Sequence, residues 1–408
     1  MRYESLGKLF YKSPAEYEQI YQHRFRNESS LHFDFKIHGN TAFLLINFEL
    51  LHLMEQIWQL DKELVQICNH LPKIAKQQYI TRAAIEEIKL TNEIEGIHSP
   101  REEIELLVED KLNARHRERY LGFVRQYRTL MSRREIDLSD CTALRRLYDE
   151  LCLSSVVEED AINLPDGELF RKEAVSVMSE TQKELHHGLY PERAIIDAMT
   201  KALYILNDTR IPVLIRIPVF HYMFAYIHPF YDGNGRLDRF ISSYFLARSF
   251  HPMLGYNLSY GIKQSVSTYY KLFKETNDPR NKGDLTPFVL GFLEIIKLSA
   301  ASLNRLLMRR YQKTVICQSR LEQLYPTRSA AFAPLRVLML NTLFGYRGMD
   351  LHELAQALSV EEAPLKAILS DICTSSDLLL IDEKQRYELN LPALLVSVPK
   401  GLPDISLQ

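Results

Sequence analysis

The amino-acid sequence predicts a mostly α-helical protein with a little β-structure, and three observations indicate this. Glycine is scarce, at 15 of 408 residues. Large apolar residues recur three and four positions apart in stretches such as 58–71 and 142–153, which is the spacing of one helix face. By contrast, EAVSVMS (173–179) alternates Val175 and Val177 with polar neighbours after the turn-forming PDGELFR, so a small hairpin is expected there.

Four segments are predicted along the chain. The first is expected to be a helical region, and its apolar stretch 41–54 is interpreted as a buried helix, because Glu49 interrupts it and it is too short to span a bilayer. The second is expected to form long helices, and the third carries the motifs with chemistry. The four segments are residues 1–75, 76–135, 140–310 and 325–400.

The fourth segment, residues 325–400, differs from the rest in its pattern of helical and β-prone stretches. Three stretches with helical periodicity precede LLLIDEKQRYEL, in which a DEKQ turn separates an apolar run from a β-prone one. Three helices followed by a short hairpin is the pattern of a winged-helix-like domain. Within residues 331–400, however, six lysines and arginines oppose nine aspartates and glutamates. Because duplex binding depends on neutralised phosphates, charge disfavours DNA as a partner and favours a protein-contact or dimerisation module.

Composition excludes several classes of protein. The 50 basic and 52 acidic residues nearly balance, so there is no global basic field for nucleic acid or an anionic membrane. The N-terminus MRYESLGKLF has no apolar core of a signal peptide. An odd number of cysteines without paired spacing favours reduced thiols, and we therefore expect a cytoplasmic protein without a membrane partner. The five cysteines are Cys68, Cys141, Cys152, Cys317 and Cys373.

Residues 228–239, HPFYDGNGRLDR, concentrate a base, a carboxylate, flexible backbone and two arginines. Pro229 is expected to end the preceding apolar helix near His228, since the residue before proline avoids the α region. Gly233, Asn234 and Gly235 allow backbone N–H groups to turn towards one point, and helical spacing resumes directly afterwards. A concave run of N–H groups at a helix N-terminus favours a bound phosphate.

Side chains of the same stretch complete the predicted site. Arg236 and Arg239 are three positions apart and could grip neighbouring phosphates from one helix face. Asp232 could hold Mg²⁺, which binds phosphate-bearing substrates through one or two carboxylates. His228 is the natural general base for a hydroxyl. The residues thus predict a Mg·nucleotide or other polyphosphate site, although a tight helix-capping turn with two surface arginines would have a similar sequence.

This stretch resembles the HxFx(D/E)GNGRxxR signature of the Fic (Fido) family. EAVSVMS resembles the flap hairpin of that family, and the resemblance covers about residues 80–300. It implies a Fic helical core with a small β-hairpin flap, and an enzyme that transfers AMP from ATP to a protein Ser, Thr or Tyr hydroxyl with release of pyrophosphate. All specified positions match: His228, Phe230, Asp232, Gly233, Asn234, Gly235, Arg236 and Arg239.

The resemblance implies a role for each motif residue. His228 would deprotonate the hydroxyl, and Asp232 would hold Mg²⁺ on the phosphates. The residues after Gly233, namely Asn234, Gly235 and Arg236, would cradle the phosphates. Arg239 would bind the γ-phosphate, and Phe230 would be a core anchor.

Further contacts are implied outside the motif. The flap would hold the target backbone as an added strand, through Val175, Ser176, Val177 and Met178. Tyr269 and Tyr270 lie where family members often supply adenine contacts, although aromatic residues on a helix are more often core. His186 and His187 lack a partner at metal-ligand spacing and are expected to be surface residues.

A second stretch, TNEIEGIHSP (91–100), interrupts a strongly helical run. It resembles the inhibitory motif (S/T)xxxE(G/N) of Fic proteins, with Thr91, Glu95 and Gly96 at its positions, in the subclass with an N-terminal inhibitory helix. The resemblance implies that Glu95 pairs with Arg239 and keeps it from the γ-phosphate. The alternative is an ordinary exposed carboxylate on a helix. In some family members the same glutamate supports AMP removal, and the sequence does not separate these roles.

The sequence therefore predicts a self-inhibited protein adenylyltransferase that uses ATP and Mg²⁺ on a protein substrate. Self-modification and a homodimer remain open. One alternative is a transcription regulator that senses nucleotide and binds DNA through its C-terminal domain. Others keep the enzyme but give it de-AMPylation activity or a different nucleotide donor, because a phosphate cradle is indifferent to the base.

Overall fold

The computed structural model describes residues 3–108, 118–132, 134–178 and 184–396. Within these residues the chain is mostly helical and has three two-stranded antiparallel sheets, which confirms the predicted fold class. The chain divides into two compact units. The first unit comprises Met1–Leu64 and Ala84–Leu303, and the second comprises Val65–Ala83 and Asn304–Gln408.

The first unit begins with two helices, α1 (Leu6–Lys12) and α2 (Pro14–Phe25), and a hairpin of β1 (Ser30–Ile37) and β2 (Asn40–Leu45). The hairpin turn places His38 and Gly39 at φ 47° and 80°, the left-handed conformation that a two-residue hairpin loop requires.

The prediction of a helix over 41–54 is wrong for its first part, because strand β2 occupies it and helix α3 begins only at Phe48. Three consecutive residues of β2, Ala42, Phe43 and Leu44, are buried on both faces of the hairpin. A short continuous apolar run of this kind cannot be told from a buried helix by periodicity.

Six helices follow the hairpin, and the unit boundary crosses the first two. α7 begins at Asp140, whose carboxylate accepts the Ala143 N–H at 2.8 Å and so caps the helix. The helices are α3 (Phe48–His70), α4 (Lys73–Ile94), α5 (Arg101–Val108), α6 (Glu118–Ser132), α7 (Cys141–Leu151) and α8 (Leu153–Asp160).

The remaining elements of the first unit surround the motif. The predicted central hairpin is present, with Val177 paired to His186. Helix α10 is buried almost all round and packs on α11. The elements are β3 (Ser176–Met178), β4 (Glu184–His187), α9 (Glu192–Asn207), α10 (Val213–Ile227), α11 (Asn234–Ser249), α12 (Pro252–Gly255), α13 (Leu258–Gln264), α14 (Val266–Thr276) and α15 (Thr286–Leu324), whose last part belongs to the second unit.

Helix α15 is long and apolar enough to cross a membrane by length and composition alone. Its apolar window is 61% buried inside the protein, which is the pattern of a core helix. The N-terminal part of α15, which includes the buried Phe288, Val289 and Phe292, belongs to the core of the first unit.

The second unit contains α16 (Phe332–Phe344), α17 (Leu351–Leu358), α18 (Glu362–Ser375), β5 (Leu379–Ile381), β6 (Tyr387–Leu389) and α19 (Leu391–Val396). The three helices and the hairpin therefore follow in the predicted order. α17 begins with a capping box, in which Asp350 and Glu353 each accept the backbone N–H of the other. The assignment of this unit to the winged-helix class stays a prediction.

Candidate active site

The loop between α10 and α11 carries the motif and is closed by its own hydrogen bonds. The Asn234 side chain accepts the Phe230 N–H at 3.0 Å and donates to the Phe230 carbonyl at 2.8 Å. The Phe230 ring is buried and stacks on Tyr148 with the centroids 3.7 Å apart. Asn234 and Phe230 thus fix the loop to the core, and the phenylalanine is an anchor.

Two residues of the loop have left-handed backbone conformations. His228 ends α10 at φ 53°, so the helix stops where Pro229 predicts, but the histidine is left-handed rather than extended. Gly233 precedes α11 at φ 81°, and a Cβ there would lie 3.1 Å from both Tyr148 and Cys152. Only glycine fits this position without strain.

A cavity of about 130 Å³ opens beside the start of α11. It brings together the predicted residues His228, Gly235 and Arg239 with Glu95 of the second motif. The predicted residues Asp232, Gly233 and Arg236 do not line it. Its lining consists of Glu95, His186, Ala225, His228, Asn234, Gly235, Asp238, Arg239, Tyr269, Tyr270, Phe273 and Asn277.

Glu95 occupies the end of this cavity and pairs with Arg239. The Glu95 Oε1 atom lies 2.7 Å from Arg239 Nη1. The buried Thr91 accepts from Arg239 Nε through its hydroxyl and from Nη2 through its carbonyl, both at 2.8 Å. All three nitrogens of the guanidinium therefore have partners. Burial alone would lower the pKa of Arg239, but the Glu95 carboxylate, together with Tyr269 and Tyr270, more than offsets this and the pKa is raised.

The backbone around Glu95 allows this approach. Gly96, at φ 75°, follows the end of α4 in a left-handed conformation. Gly235 has no side chain, and a Cβ on it would lie 2.1 Å from Glu95 Oε1. The carboxylate therefore packs directly onto the first turn of α11, where a helix attracts an anion.

Arg236 lies away from the cavity and is fully buried. Its guanidinium donates to both carboxylate oxygens of Glu159 at 3.0 and 3.2 Å, and to the Ser155 hydroxyl at 2.9 Å. A further contact of 3.2 Å joins Arg236 Nη2 to Asp232 Oδ1. Glu159 could not be predicted as a partner of Arg236, because it lies in α8 at no recognisable spacing from the motif.

Asp232 has one oxygen engaged and one accessible for other contacts. Its Oδ1 accepts the Gly233 N–H and contacts Arg236. Oδ2 receives no hydrogen bond from the residues that the structure describes, and the side chain is 31% exposed. No group of three or more His, Cys, Asp and Glu that could hold a metal ion occurs in the described part of the chain.

The His228 imidazole is held neutral by its surroundings. Burial, then the nearby charges of Arg171 and His186, lower the pKa of His228 to about 3, while Asp232 acts in the opposite direction. The ring is therefore unprotonated at neutral pH, so one of its nitrogens keeps the lone pair that a general base requires.

The prediction that His186 and His187 are surface residues holds only for His187, which is exposed. His186 is half-buried and lines the cavity. Its Nε2 lies 2.7 Å from the Tyr226 carbonyl, and its ring stacks on Tyr226 with centroids 4.3 Å apart. The flap therefore contributes a second imidazole to the site, which strand pairing with β3 places there.

Tyr269 and Tyr270 both reach the cavity, but they make different contacts. Tyr269 is buried and its hydroxyl lies 2.7 Å from His221 Nε2. The other ring nitrogen of His221 lies 3.2 Å from Asp238 Oδ1. Tyr270 donates to the Ile94 carbonyl at 3.1 Å, at the end of the helix that carries Glu95. Sequence reasoning missed His221 and Asp238, since a histidine inside an apolar helix gives no functional signal.

The flap joins the site at its base. The Val175 carbonyl accepts the Gly188 N–H at 3.0 Å, and the Ile227 carbonyl accepts the Leu189 N–H at 3.0 Å, next to His228. Ser176 lies on β3 and its hydroxyl is 3.2 Å from His187 Nδ1. The side chains of Val177 and Met178 fall outside the described residues.

Comparison with known proteins finds similarity to one family. Residues 140–246 match the Fic/DOC family. The "Protein adenylyltransferase Fic" of Drosophila grimshawi and that of Drosophila melanogaster are each 39% identical over 69 residues, which is 17% of this chain and only 12% of their own length. In fold, the chain is similar to the crystal structure of a Fic family protein from Desulfovibrio desulfuricans G20, with a TM-score of 0.52, 19% identity, and coverage of 84% of this chain and 96% of that one. Residues 140–246, with the complete motif at 228–239, are therefore a domain of the Fic/DOC family.

Proposed function

We propose that this protein is a self-inhibited protein adenylyltransferase, which transfers AMP from ATP to a Ser, Thr or Tyr hydroxyl of a protein and releases pyrophosphate. The observation that carries the proposal is the position of Glu95. Its carboxylate pairs with Arg239 at 2.7 Å and packs on Gly235 at the start of α11, so an anion of the protein itself occupies an anion-binding helix end.

The start of α11 suits the phosphates of a nucleotide. The first backbone bond of this helix joins the Leu237 N–H to the Gly233 carbonyl. The N–H groups of Asn234, Gly235 and Arg236 precede it and have no partner within the helix. These amides, the helix dipole and the Arg239 guanidinium favour negative charge at one place. Phosphate groups of ATP supply such charge once Glu95 moves away.

His228 is the group that would take the proton. As the hydroxyl oxygen of the target forms a bond to the α-phosphorus, its proton passes to the neutral His228 ring. The bond from the α-phosphorus to the bridging oxygen breaks, and pyrophosphate leaves with the electron pair. The contribution of the chain is to position these groups and to neutralise the developing charge.

Asp232 fits a magnesium ion that arrives with the nucleotide. Mg²⁺ commonly binds through one or two carboxylates together with substrate phosphates, so a single accessible aspartate suffices. Asp232 offers Oδ2, while Gly233 and Arg236 hold Oδ1 in place. When bound, the ion would neutralise negative charge on the phosphates.

The proposed inhibition is a competition for Arg239. A γ-phosphate at Arg239 would meet the Glu95 carboxylate as a like charge, and the guanidinium has no nitrogen without a partner. ATP that binds while Glu95 is in place would therefore lack this contact, and its α-phosphate would not be aligned for attack. Glu95 is 31% exposed, so it can leave without opening the core.

Self-labelling with radiolabelled Mg·ATP tests the proposal. We expect Glu95→Gly to label more strongly than the parent protein, and His228→Ala in the Glu95→Gly background to remove labelling. Glu93→Gly is the matched control, because Glu93 lies in the last turn of α4, two residues before Glu95, and pairs with Lys89 instead of Arg239. The proposal is wrong if Glu95→Gly labels no better than Glu93→Gly, or if His228→Ala labels as well as its parent.

Mass spectrometry of the Glu95→Gly protein after incubation with each Mg·NTP in turn identifies the donor. AMP attached to the protein itself, or to proteins of a cell lysate, is the expected product. Attachment of another nucleotide with none of AMP would replace ATP as the donor.

A further inference from the structure

Arg171 is a fully buried arginine in the loop before the flap, with 0% of its side chain exposed. Among the described residues no carboxylate lies within ion-pair distance of it. A buried guanidinium without a counter-ion is costly, and its hydrogen bonds must compensate. Burial also lowers the pKa of Arg171.

Among the residues that the structure describes, the guanidinium donates only to backbone carbonyls, and these come from two places. Nε donates to the His228 carbonyl at 2.9 Å, and Nη2 lies 3.4 Å from the Ile227 carbonyl. Nη1 donates to the Glu173 carbonyl, before β3, and Nη2 donates to the Leu189 carbonyl, after β4, at 2.8 Å. One planar group thus joins the left-handed turn at His228 to both ends of the flap.

Neighbouring hydrogen bonds fix the backbone at and before Arg171. The Arg171 N–H donates to the Pro229 carbonyl at 3.2 Å. Glu192, in the first turn of α9, accepts the N–H groups of Glu168, Leu169 and Phe170 at 2.8 to 3.1 Å and fixes the loop that leads to Arg171.

Gly188 leaves space for the guanidinium. A Cβ on Gly188 would lie 2.4 Å from Arg171 Nη2. A residue with a side chain at position 188 would therefore clash with the Arg171 guanidinium.

We propose that Arg171 is a positioning residue for the transfer reaction, which fixes the backbone of His228 and the two ends of the flap relative to one another. The inference rests on the proposed function, because the flap is the expected docking edge for the target and His228 the expected base. Arg171 does not line the cavity and acts through the His228 backbone.

Two substitutions, each made in the Glu95→Gly background, separate the hydrogen-bond geometry of Arg171 from its charge. Arg171→Met removes the hydrogen bonds and the charge. Arg171→Lys keeps the charge but offers one nitrogen, which cannot reach the His228 and flap carbonyls together. We expect both variants to lower kcat about 100-fold, the loss that a displacement of about 1 Å produces, with the KM for ATP unchanged.

The pH midpoint of the His228 ring, followed by NMR, is a second readout that does not depend on activity. The charges acting on this ring are Arg171, His186 and Asp232. Arg171→Met should raise the midpoint, since a positive charge that disfavours the imidazolium is removed. Arg171→Lys should leave it nearer the parent value.

Arg145→Met is the matched control, because Arg145 donates to the Leu169 carbonyl in the same loop but does not touch His228. It should leave kcat and the His228 midpoint unchanged. Should Arg171→Met not fold, Arg171→Lys carries the kinetic test.

Three results would overturn the inference. The first is a kcat for both Arg171 variants within about threefold of their parent. The second is a parallel loss of kcat and ATP affinity, measured by calorimetry, which is the sign of general disruption. The third is an unchanged His228 midpoint in Arg171→Met. If the Glu95→Gly parent transfers no nucleotide, the proposed function fails, and the midpoint still decides whether Arg171 acts on His228.

Discussion

The two arginines of the motif are one helical turn apart, both are buried, and each is paired with a glutamate. Arg239 pairs with Glu95, which comes from the end of a helix, is 31% exposed and lines the cavity. Arg236 pairs with Glu159, which uses both oxygens, is 18% exposed and lies away from the cavity.

The difference lies in what can replace each glutamate. Arg239 and Glu95 both line the cavity, so under the proposed function a substrate phosphate would reach Arg239 there and take the place of Glu95. Arg236 does not line this cavity, and its partners are the protein's own Glu159, Ser155 and Asp232. The proposed function therefore requires the Glu95 contact with Arg239 to be reversible, and it makes no such demand on the Glu159 contact with Arg236.

The largest expected effect is on transfer at Arg239. In the Glu95→Gly background, Arg239→Ala should lower the rate of AMP transfer by about 1,000-fold, the effect of removing an arginine that stabilises charge on transferring phosphates. Single-turnover labelling at saturating Mg·ATP measures this rate. A rate within tenfold of the parent would show that the cavity arginine does not contact the nucleotide.

The next effect concerns stability, and here we expect the larger loss at the Arg236–Glu159 pair and the smaller loss at the Arg239–Glu95 pair. Glu159→Gln leaves the buried Arg236 with Asp232 as its one charged partner among the described residues and should cost about 2 kcal/mol of unfolding free energy. Glu95→Gln should cost about 1 kcal/mol or less, because Glu95 is partly exposed. Urea unfolding of both variants measures the two costs, and equal costs would remove the distinction between the pairs.

A third glutamate, Glu87, extends the comparison, because it lies in α4, the helix that ends just before Glu95, and is buried with no ion pair among the described residues. Both of its oxygens accept the Ser259 N–H, at 2.9 and 3.0 Å. Burial raises the pKa of Glu87 from 4.5 to about 7. Between these values the folded protein binds the proton more tightly than the unfolded chain, so this group stabilises the fold at low pH and the stability is lost as the pH rises to about 7.

Replacement of this titrating group should remove its pH dependence. Glu87→Gln keeps the acceptor oxygen for Ser259 and should be about 3 kcal/mol more stable than the parent at pH 8, with little difference at pH 4.5. Urea unfolding at the two pH values provides the measurement. A parent and variant with parallel pH profiles would mean that Glu87 does not titrate in this range.

The smallest expected effect comes from Tyr270, which donates to the Ile94 carbonyl just before Glu95. Loss of one such hydrogen bond costs about 1 kcal/mol. Tyr270→Phe should therefore destabilise the conformation in which Glu95 contacts Arg239, and raise self-labelling about fivefold. The effect should vanish in the Glu95→Gly background. A fivefold rise that persists there would place the role of Tyr270 in nucleotide binding instead.

The sequence predicts contacts between residues that a motif or a periodicity links. The turn at Pro229, the left-handed Gly233 and the start of α11 follow from the local preferences of proline, glycine and a helix N-terminus. The resemblance to Fic proteins implies the pairing of Glu95 with Arg239 across more than a hundred residues, and the two side chains are found together.

The sequence does not predict contacts that depend on tertiary packing. Glu159 and Arg171 act through a carboxylate and carbonyls brought together from separate elements, and neither stands in a recognisable pattern. Strand β2 was missed because burial on both faces removes the alternation that marks a strand. His186 reaches the cavity because of the register of β3 and β4, which a sequence does not display.

The central claim is that Glu95 occupies the position on Arg239 that a γ-phosphate would take, and calorimetry with Mg·ATP and Mg·ADP tests it directly. In the parent protein the two nucleotides should bind about equally, because the γ-phosphate has no free cation. In Glu95→Gly, ATP should bind about 10- to 100-fold more tightly than ADP, the value of a charge-assisted hydrogen bond, and Arg239→Ala should abolish this preference. An ATP-to-ADP ratio that is the same with and without Glu95 would contradict the account.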